Sequence, residues 1–356
     1  MINSSGIGTY LKNILPEIAK KFHLTLLGVK EELSVFKWSK DCEIINFDAK
    51  IYSIKEQIIL PFIVPKSTLF WCPHFNAPLF PIKATKIICT IHDLNHLAIN
   101  TNRFSLKYQY AKILYRNAVK KSSVLITVSN FSKSELLNYT NAVKEKVKVI
   151  YCGVNSAFSK NNKVNIDKKL PENYILFVGN IKPHKNLIIL LKAYNNLSKK
   201  TRLTYKLVVL GRENGFINSD KEVFKYIEKY NLTDHVFFTG YLDDEKIPLI
   251  YKQAKLFVFP SIYEGFGLPI LESMASGTPV ISSNAASLTE VGGDASIYFN
   301  PSNSTELQKK IELVLNNSKL KNEHIEKGFN QIKKFSWDTS SKEHIKLFKG
   351  VINNNE

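Results

Sequence analysis

The chain has 356 residues, 44% of them hydrophobic and 12% aromatic, which is enough to close the cores of two ordinary domains and too apolar for a disordered chain. No run of 18 apolar residues occurs, the N-terminus lacks a basic-then-apolar leader, and Cys42, Cys72, Cys89 and Cys152 are scattered without a C-x-x-C; this argues against a membrane span, a leader, and a disulfide or zinc framework. The formal charge of +18 comes almost wholly from lysine, with arginine only at 103, 116, 202 and 212, so the forked groups of bidentate phosphate and base recognition are scarce and nucleic acid is a poor candidate partner.

The chain opens with SSGIGTYL (4–11), a Gly-rich turn leading into a helix. Such turns follow a strand, and Met1 stands where that strand would end. This predicts an internal start or a truncated first domain whose sheet lacks a central member. Short β-branched runs then recur at 24–28, 43–47, 68–72, 86–93, 124–129 and 146–154. Helical patterns lie between them, as in 105–122 and in 128–139, where Ser132 and Glu135 have capping-box spacing. Strands alternating with helices predict a doubly wound parallel sheet.

Residues 155–172 are polar and Lys/Asn-rich and read as a linker. A second alternation follows at 174–179, 206–211, 235–240, 255–260, 279–283 and 296–300. Its first three strands each end in glycine, which suits turns where backbone approaches a ligand. The expected organisation is an N-terminal Rossmann-like domain over 1–160, a C-terminal one over 170–334, and a helix over 335–356 that returns to the first. Ligands of such sheets sit outside the carboxyl ends of the strands, so a cleft between the two domains is the expected site. The four cysteines read as buried free thiols of a reducing compartment, the cytoplasm. The lysine excess reads as compositional bias, with a basic surface for peripheral contact with an anionic membrane as the milder alternative.

The densest chemistry lies in PSIYEGFGLPILESMASGTPV (260–280). A strand ends at Pro260, a loop carries Glu264, Gly265, Phe266 and Gly267, and Pro269 and Gly277 bound a helix of about 269–276. The free N–H groups and positive dipole end of that helix suit a phosphate. Glu264 in the loop and Glu272, expected in the first turn, would reach hydroxyls on either side of it, as a nucleotide-sugar requires. On spacing alone two glutamates eight apart are unremarkable, and Glu272 could merely complement the helix dipole.

The whole string decides the reading. EGFGLPILESMAS resembles the signature of glycosyltransferase family 4, retaining enzymes of the GT-B type with two Rossmann-like domains, with Ser273 where the family more often has Ala. FVGNIKPHKNL (177–187) is similar to the family's phosphate-binding strand and loop, which puts Lys185 opposite the diphosphate. Asn180 stands where many members carry Arg, and Arg212 in LGRENG is a partial substitute. TIHDLNHLA (90–98) and WCPHFNAPL (71–79) resemble N-domain elements, which places His92 beside the donor sugar and, with less force, His74 nearby.

By this resemblance the chain is a metal-independent, retaining hexosyltransferase without a cofactor. Its substrates would be a GDP- or UDP-linked sugar, with a lean to GDP-mannose, and a growing, lipid-linked glycan of surface polysaccharide or lipopolysaccharide. Glu264, His92 and Lys185 carry the expected chemistry. Glu272, Gly265, Phe266, Gly267, Leu268, Asn180 and Arg212, with the backbone at Gly6 and Gly8, bind the donor. No D-x-D and no metal-ligand spacing occurs. The alternatives are an inactive or truncated relative and a nucleic-acid-directed transferase; the latter predicts steeply salt-dependent DNA binding.

Overall fold

The computed structural model describes residues 1–3, 5–99, 102–160, 170–211, 220–240 and 242–353. The chain divides into two compact units, Met1–Gly153 with Ser336–Glu356, and Val154–Phe335.

The first unit opens with helix α1 (Ser5–Ala19), which buries Tyr10, Leu11, Ile14, Leu15 and Ile18 on one face. Gly6 and Gly8 therefore lie in a helical turn rather than in a loop ahead of it. A side chain on Gly8 would stand 2.5 Å from the Ile2 carbonyl oxygen, whereas one on Gly6 would meet nothing within 4 Å. Gly8 is committed to packing against the chain's own first residues, and Gly6 presents open backbone.

Strands β1 (Thr25–Gly28) and β2 (Glu43–Asn46) pair in parallel as a two-stranded ribbon. Strands β3 (Ser67–Cys72), β4 (Ala84–Ile91), β5 (Val124–Thr127) and β6 (Val147–Val149) form a separate parallel sheet in that order. Among the described residues no strand precedes α1, and β1 and β3 each keep one edge unpaired. Helices α2 (Ile54–Ile63), α3 (Leu106–Lys121) and α4 (Asn130–Tyr139) connect the strands.

The cap of α4 lies three residues earlier than the expected Ser132–Glu135 box. β5 ends at Thr127 and leaves Ser129 extended, so its hydroxyl accepts from the Ser132 N–H at 2.9 Å. Ser132 is then inside the helix, where its own hydroxyl donates to the His92 carbonyl at 2.8 Å. Cys72, Cys89 and Cys152 are buried, while Cys42 is only half-buried, against expectation.

The second unit begins at Val154, one residue ahead of the expected linker, within which Ser156–Phe158 form a 3-10 turn whose Phe158 ring meets Tyr251 edge-on at 5.6 Å. Its strands are β7 (Tyr174–Val178), β8 (Lys206–Leu210), β9 (Val236–Gly240), β10 (Leu256–Phe259), β11 (Val280–Ser283) and β12 (Ile297–Phe299). They pair in parallel in the order β12-β11-β10-β7-β8-β9. Its helices of eight or more residues, among the described ones, are α5 (Leu187–Asn195), α6 (Lys221–Lys229), α7 (Leu268–Ala275), α8 (Ser304–Asn316) and α9 (Ser318–Gln331). The near-continuous apolar runs YILFV and LFVF of β7 and β10 are what strands covered on both faces require.

The last helix, α10 (Trp337–Asn353), belongs to the first unit and packs along α1. Its buried side chains include Trp337, Ser341, His344, Phe348 and Val351, at helical spacing. His344 donates from Nδ1 to the Ser340 carbonyl at 2.7 Å, so its Nε2 accepts from the Tyr10 hydroxyl at 2.6 Å. Burial holds the His344 imidazole neutral, lowered to about 4. A side chain on Gly153 would stand 2.1 Å from the Trp337 nitrogen, so two backbones meet there as only glycine permits. Among the described residues no helix is long and apolar enough to cross a membrane.

Candidate active site

In the second unit the strand order reverses between β7 and β10, so the loops beyond these two neighbours leave toward opposite faces. A crevice outside the carboxyl ends of the strands opens at such a point. Both sequence-derived segments fall there: residues 179–186 follow β7, and residues 260–267 follow β10.

The two loops are tied together. Asn186 adopts a left-handed conformation, φ 56°, which asparagine tolerates better than most residues. Its side-chain amide donates to the carbonyls of Pro260 at 3.2 Å and Pro301 at 2.9 Å. The Ile262 N–H donates to the His184 carbonyl at 2.8 Å. Lys185 and Glu264 are thereby brought into an ion pair, Nζ to Oε1 2.6 Å, with side chains 19% and 15% exposed. The Lys185 ammonium also stands 5.7 Å from the centroid of the Phe259 ring.

Backbone geometry fixes the carboxylate loop. Gly267, φ 110°, precedes α7 in a conformation that side chains rarely adopt. Ser287 donates its hydroxyl to the carbonyls of both Glu264 and Phe266, at 2.9 and 2.8 Å. Phe266 is buried edge-on against Phe335 at 5.7 Å, Gly265 is buried, and Leu268 begins α7 half-buried. Asn180 is partly buried, next to Gly179 at the end of β7. Gly211 must be glycine: a side chain there would stand 2.2 Å from the Gly179 carbonyl oxygen. Arg212 lies outside the described residues.

Glu272 is not in the first turn of its helix. α7 starts at Leu268, one residue earlier than the proline alone suggested, and Glu272 therefore falls in the second turn. Its Oε2 accepts from the Tyr251 hydroxyl at 2.9 Å. Burial pushes its carboxyl up from the ordinary range to about 7, against the Tyr251 bond, which lowers it. At neutral pH this carboxyl is poised between its two forms.

His92 lies in the first unit, just past the end of β4. Its Nε2–H donates to the Pro73 carbonyl at 3.0 Å, and its ring meets Tyr10 edge-on at 4.8 Å and lies 6.0 Å from the ring of His74. Burial lowers both imidazoles, His74 strongly, so both are neutral at pH 7. His74 bonds the Tyr52 hydroxyl at 3.1 Å. The Tyr52 backbone N–H donates to Glu56, whose other oxygen accepts from Asn76 at 2.6 Å. Glu56, raised to about 7 by burial, is a buried acid that no motif pointed to. Sequence reasoning also missed Tyr251, Ser287 and Asn186. Of these only Asn186, an Asn immediately before an apolar helix, carried a local signal.

Residues 66–158 match the sequence profile of Glycosyltransferase Family 4, and residues 158–331 match that of glycosyl transferases group 1. The chain is 28% identical over 283 residues to O-antigen chain mannosyltransferase B of Escherichia coli, covering 77% of this chain and 74% of that protein. It is also 28% identical over 282 residues to the serotype-specific mannosyltransferase WbdA of Escherichia coli, of whose length it spans 34%. Among solved structures, sucrose-phosphate synthase from Thermosynechococcus elongatus is similar with a TM-score of 0.79 and 18% identity, over 99% of this chain and 95% of that one. Anabaena HepE in complex with UDP-glucose is similar with a TM-score of 0.77 and 18% identity, over 98% and 97%. At that identity the structural likeness shows the fold.

Proposed function

The chain belongs to the group 1, family 4 glycosyltransferases and has their α/β GT-B fold, and from that premise we propose that it transfers mannose from GDP-mannose, with retention and without a metal, to a lipid-linked glycan at an anionic membrane surface. The observation that carries the reading is the Lys185–Glu264 pair at the point where strand order reverses.

Lys185 is the group that turns to the diphosphate. Charge builds on the leaving group as the glycosidic bond breaks, and a fixed ammonium in a partly buried site stabilises it. Asn180, the open backbone at Gly6 and the N–H groups at the start of α7, framed by Gly265, Phe266, Gly267 and Leu268, are the further donors; Arg212 is proposed by its sequence position. Glu264, released from Lys185, accepts from sugar hydroxyls. Glu272 accepts from the ribose, with Tyr251 holding its second oxygen. His92, with its Nε2 spent on Pro73, offers a neutral Nδ1 toward the sugar. The mannosyltransferase names of the relatives and the nucleotide-sugar in HepE support this assignment.

The test is a thermal-shift series with GDP, UDP and ADP on the wild type and on Glu272→Ala. A nucleotide at about a hundred times its Kd adds about 2.7 kcal/mol of stability. GDP is expected to raise Tm alone, and Glu272→Ala to weaken that shift. A shift with UDP only would replace the donor, and no shift with any nucleotide would favour the inactive relative.

A further inference from the structure

Glu56 is a buried acid that the chemistry proposed above does not use. It stands three residues after Ser53, the N-cap of α2, whose hydroxyl accepts from the Glu56 N–H at 3.1 Å. In an ordinary capping box the carboxylate at this position reaches back to the N–H of the cap residue. Here the Ser53 N–H donates to the Lys50 carbonyl instead, and Glu56 is 5% exposed. Its Oε2 accepts from the Tyr52 N–H at 2.8 Å, and its Oε1 from the side chain of Asn76, twenty residues on, at 2.6 Å.

Both arms of the carboxylate end on the same short stretch after β3. One arm holds Asn76 directly. The other holds Tyr52 in a left-handed conformation, φ 66°, which a bulky residue rarely adopts. The Tyr52 ring stacks on Phe75, with centroids 5.1 Å and planes 15° apart, and its hydroxyl bonds His74 at 3.1 Å. Residues 74, 75 and 76 are thus each held through Glu56. The next residue back, Pro73, supplies the carbonyl that accepts from the His92 Nε2–H at 3.0 Å.

The main chain at His92 is fixed by other means. Ser132 donates to the His92 carbonyl at 2.8 Å, and the Tyr115 hydroxyl donates to the Asp93 carbonyl at 3.0 Å. These bonds leave the rotation of the ring to be set. The Pro73 oxygen can only accept, so it keeps the proton on Nε2 and orients the imidazole. Burial raises Glu56 to about 7 against both of its hydrogen bonds, so a brace made only to fill this space would be better made of apolar side chains.

We propose that Glu56 is a positioning residue for His92: by holding residues 74–76 it fixes the Pro73 carbonyl, and that carbonyl orients the imidazole and its tautomer. A carboxylate suits the task because one side chain must accept from two donors in two segments at once. The kinetic consequence rests on the proposed role of His92 beside the sugar, whereas the orientation of His92 is read without substrate, so the two fail separately.

The experiment is heteronuclear NMR of the full chain isotope-labelled at histidine. An imidazole N–H exchanges with water too fast to be seen unless it is hydrogen-bonded and shielded. The His92 Nε2–H signal is identified by its loss in His92→Asn, and the His344 Nδ1–H, bonded to the Ser340 carbonyl, is the internal reference. Glu56→Gln leaves one acceptor for two donors and should abolish the His92 signal while the His344 signal remains. Glu56→Gln/Asn76→Asp restores both bonds, the new amide accepting from Tyr52 and donating to the new carboxylate, and should bring the signal back. In parallel, kcat for GDP release from GDP-mannose should fall by about ten- to a hundredfold in Glu56→Gln with KM unchanged, and recover in the double variant. A His92 signal as sharp in Glu56→Gln as in the wild type overturns the proposal, as does loss of the His344 signal with it, or a double variant that restores nothing. If Glu56→Gln does not fold, Asn76→Ala, which keeps the carboxyl and cuts one arm, is read in the same way. Loss of the His92 signal with kcat unchanged would sustain the positioning and remove His92 from the proposed chemistry.

Discussion

In the second unit six parallel strands form one sheet, and all four residues of β10 and four of the five of β7 are inaccessible to solvent. In the first unit the strands are divided between a two-stranded ribbon and a four-stranded sheet, every residue of β1 is only half-buried, and large apolar side chains stand in solvent. The same alternation of strands and helices has produced one unit with a single continuous sheet and one whose strands are split between two sheets. A close-packed sheet with buried central strands is what a site defined to fractions of an ångström needs, because interiors of that density resist displacement.

The largest effect that would break this comparison is in the cores. Phe177→Ala should cost about 3–5 kcal/mol by leaving a cavity in a packed sheet. Leu26→Ala in half-buried β1 should cost about 1 kcal/mol. Urea unfolding followed by tryptophan fluorescence and circular dichroism measures both, and equal losses would end the distinction.

The buried carboxyls sharpen it. Glu272 and Glu56 are each raised to about 7 by burial. A carboxyl raised on folding adds stability that is complete below its unfolded value near 4.5 and is lost as pH rises through 7. Glu272→Gln removes the ionisation and can still accept from Tyr251, so at pH 8 the variant should be the more stable, by on the order of 1–3 kcal/mol, with the gap closing toward pH 4. Glu56→Gln should show no such gain, because its two oxygens face two donors and an amide presents only one acceptor. Tm measured from pH 4 to 8 tests the pair; parallel curves would refute the assignment.

The smallest effect concerns the returning helix. Tyr10→Phe leaves the His344 Nε2 buried without its donor and should cost about 1–2 kcal/mol, with the nucleotide-induced shift unchanged. Loss of that shift would mean that this bond is needed to hold α1, whose Gly6 backbone is proposed to meet the donor.

Much of this was legible in the residues. The strands of the second unit and the junctions after β7 and β10 follow from local pattern, because buried parallel strands must be apolar throughout and tight turns must carry glycine. The positive φ of Gly179, Gly240, Gly267 and Gly277 lies where the strand and helix ends implied it. The signature glutamates and Lys185 were named from their motifs. Less legible were the start of α7, which moved Glu272 to a second turn, and the cap of α4, set by where β5 ends.

The sequence by itself determined the run of strands in the second unit, since a buried parallel strand must be apolar along its length, and its motifs carried the resemblance to the family. Only the tertiary structure decided that Lys185 and Glu264, 79 residues apart, would meet at 2.6 Å. It alone set Tyr251 against Glu272 and fixed Gly8 by the chain's own second residue. Each of these depends on strand order and on what lies across the sheet. Local pattern carries neither, because a side chain's partner in space is set by the topology that folds distant segments together.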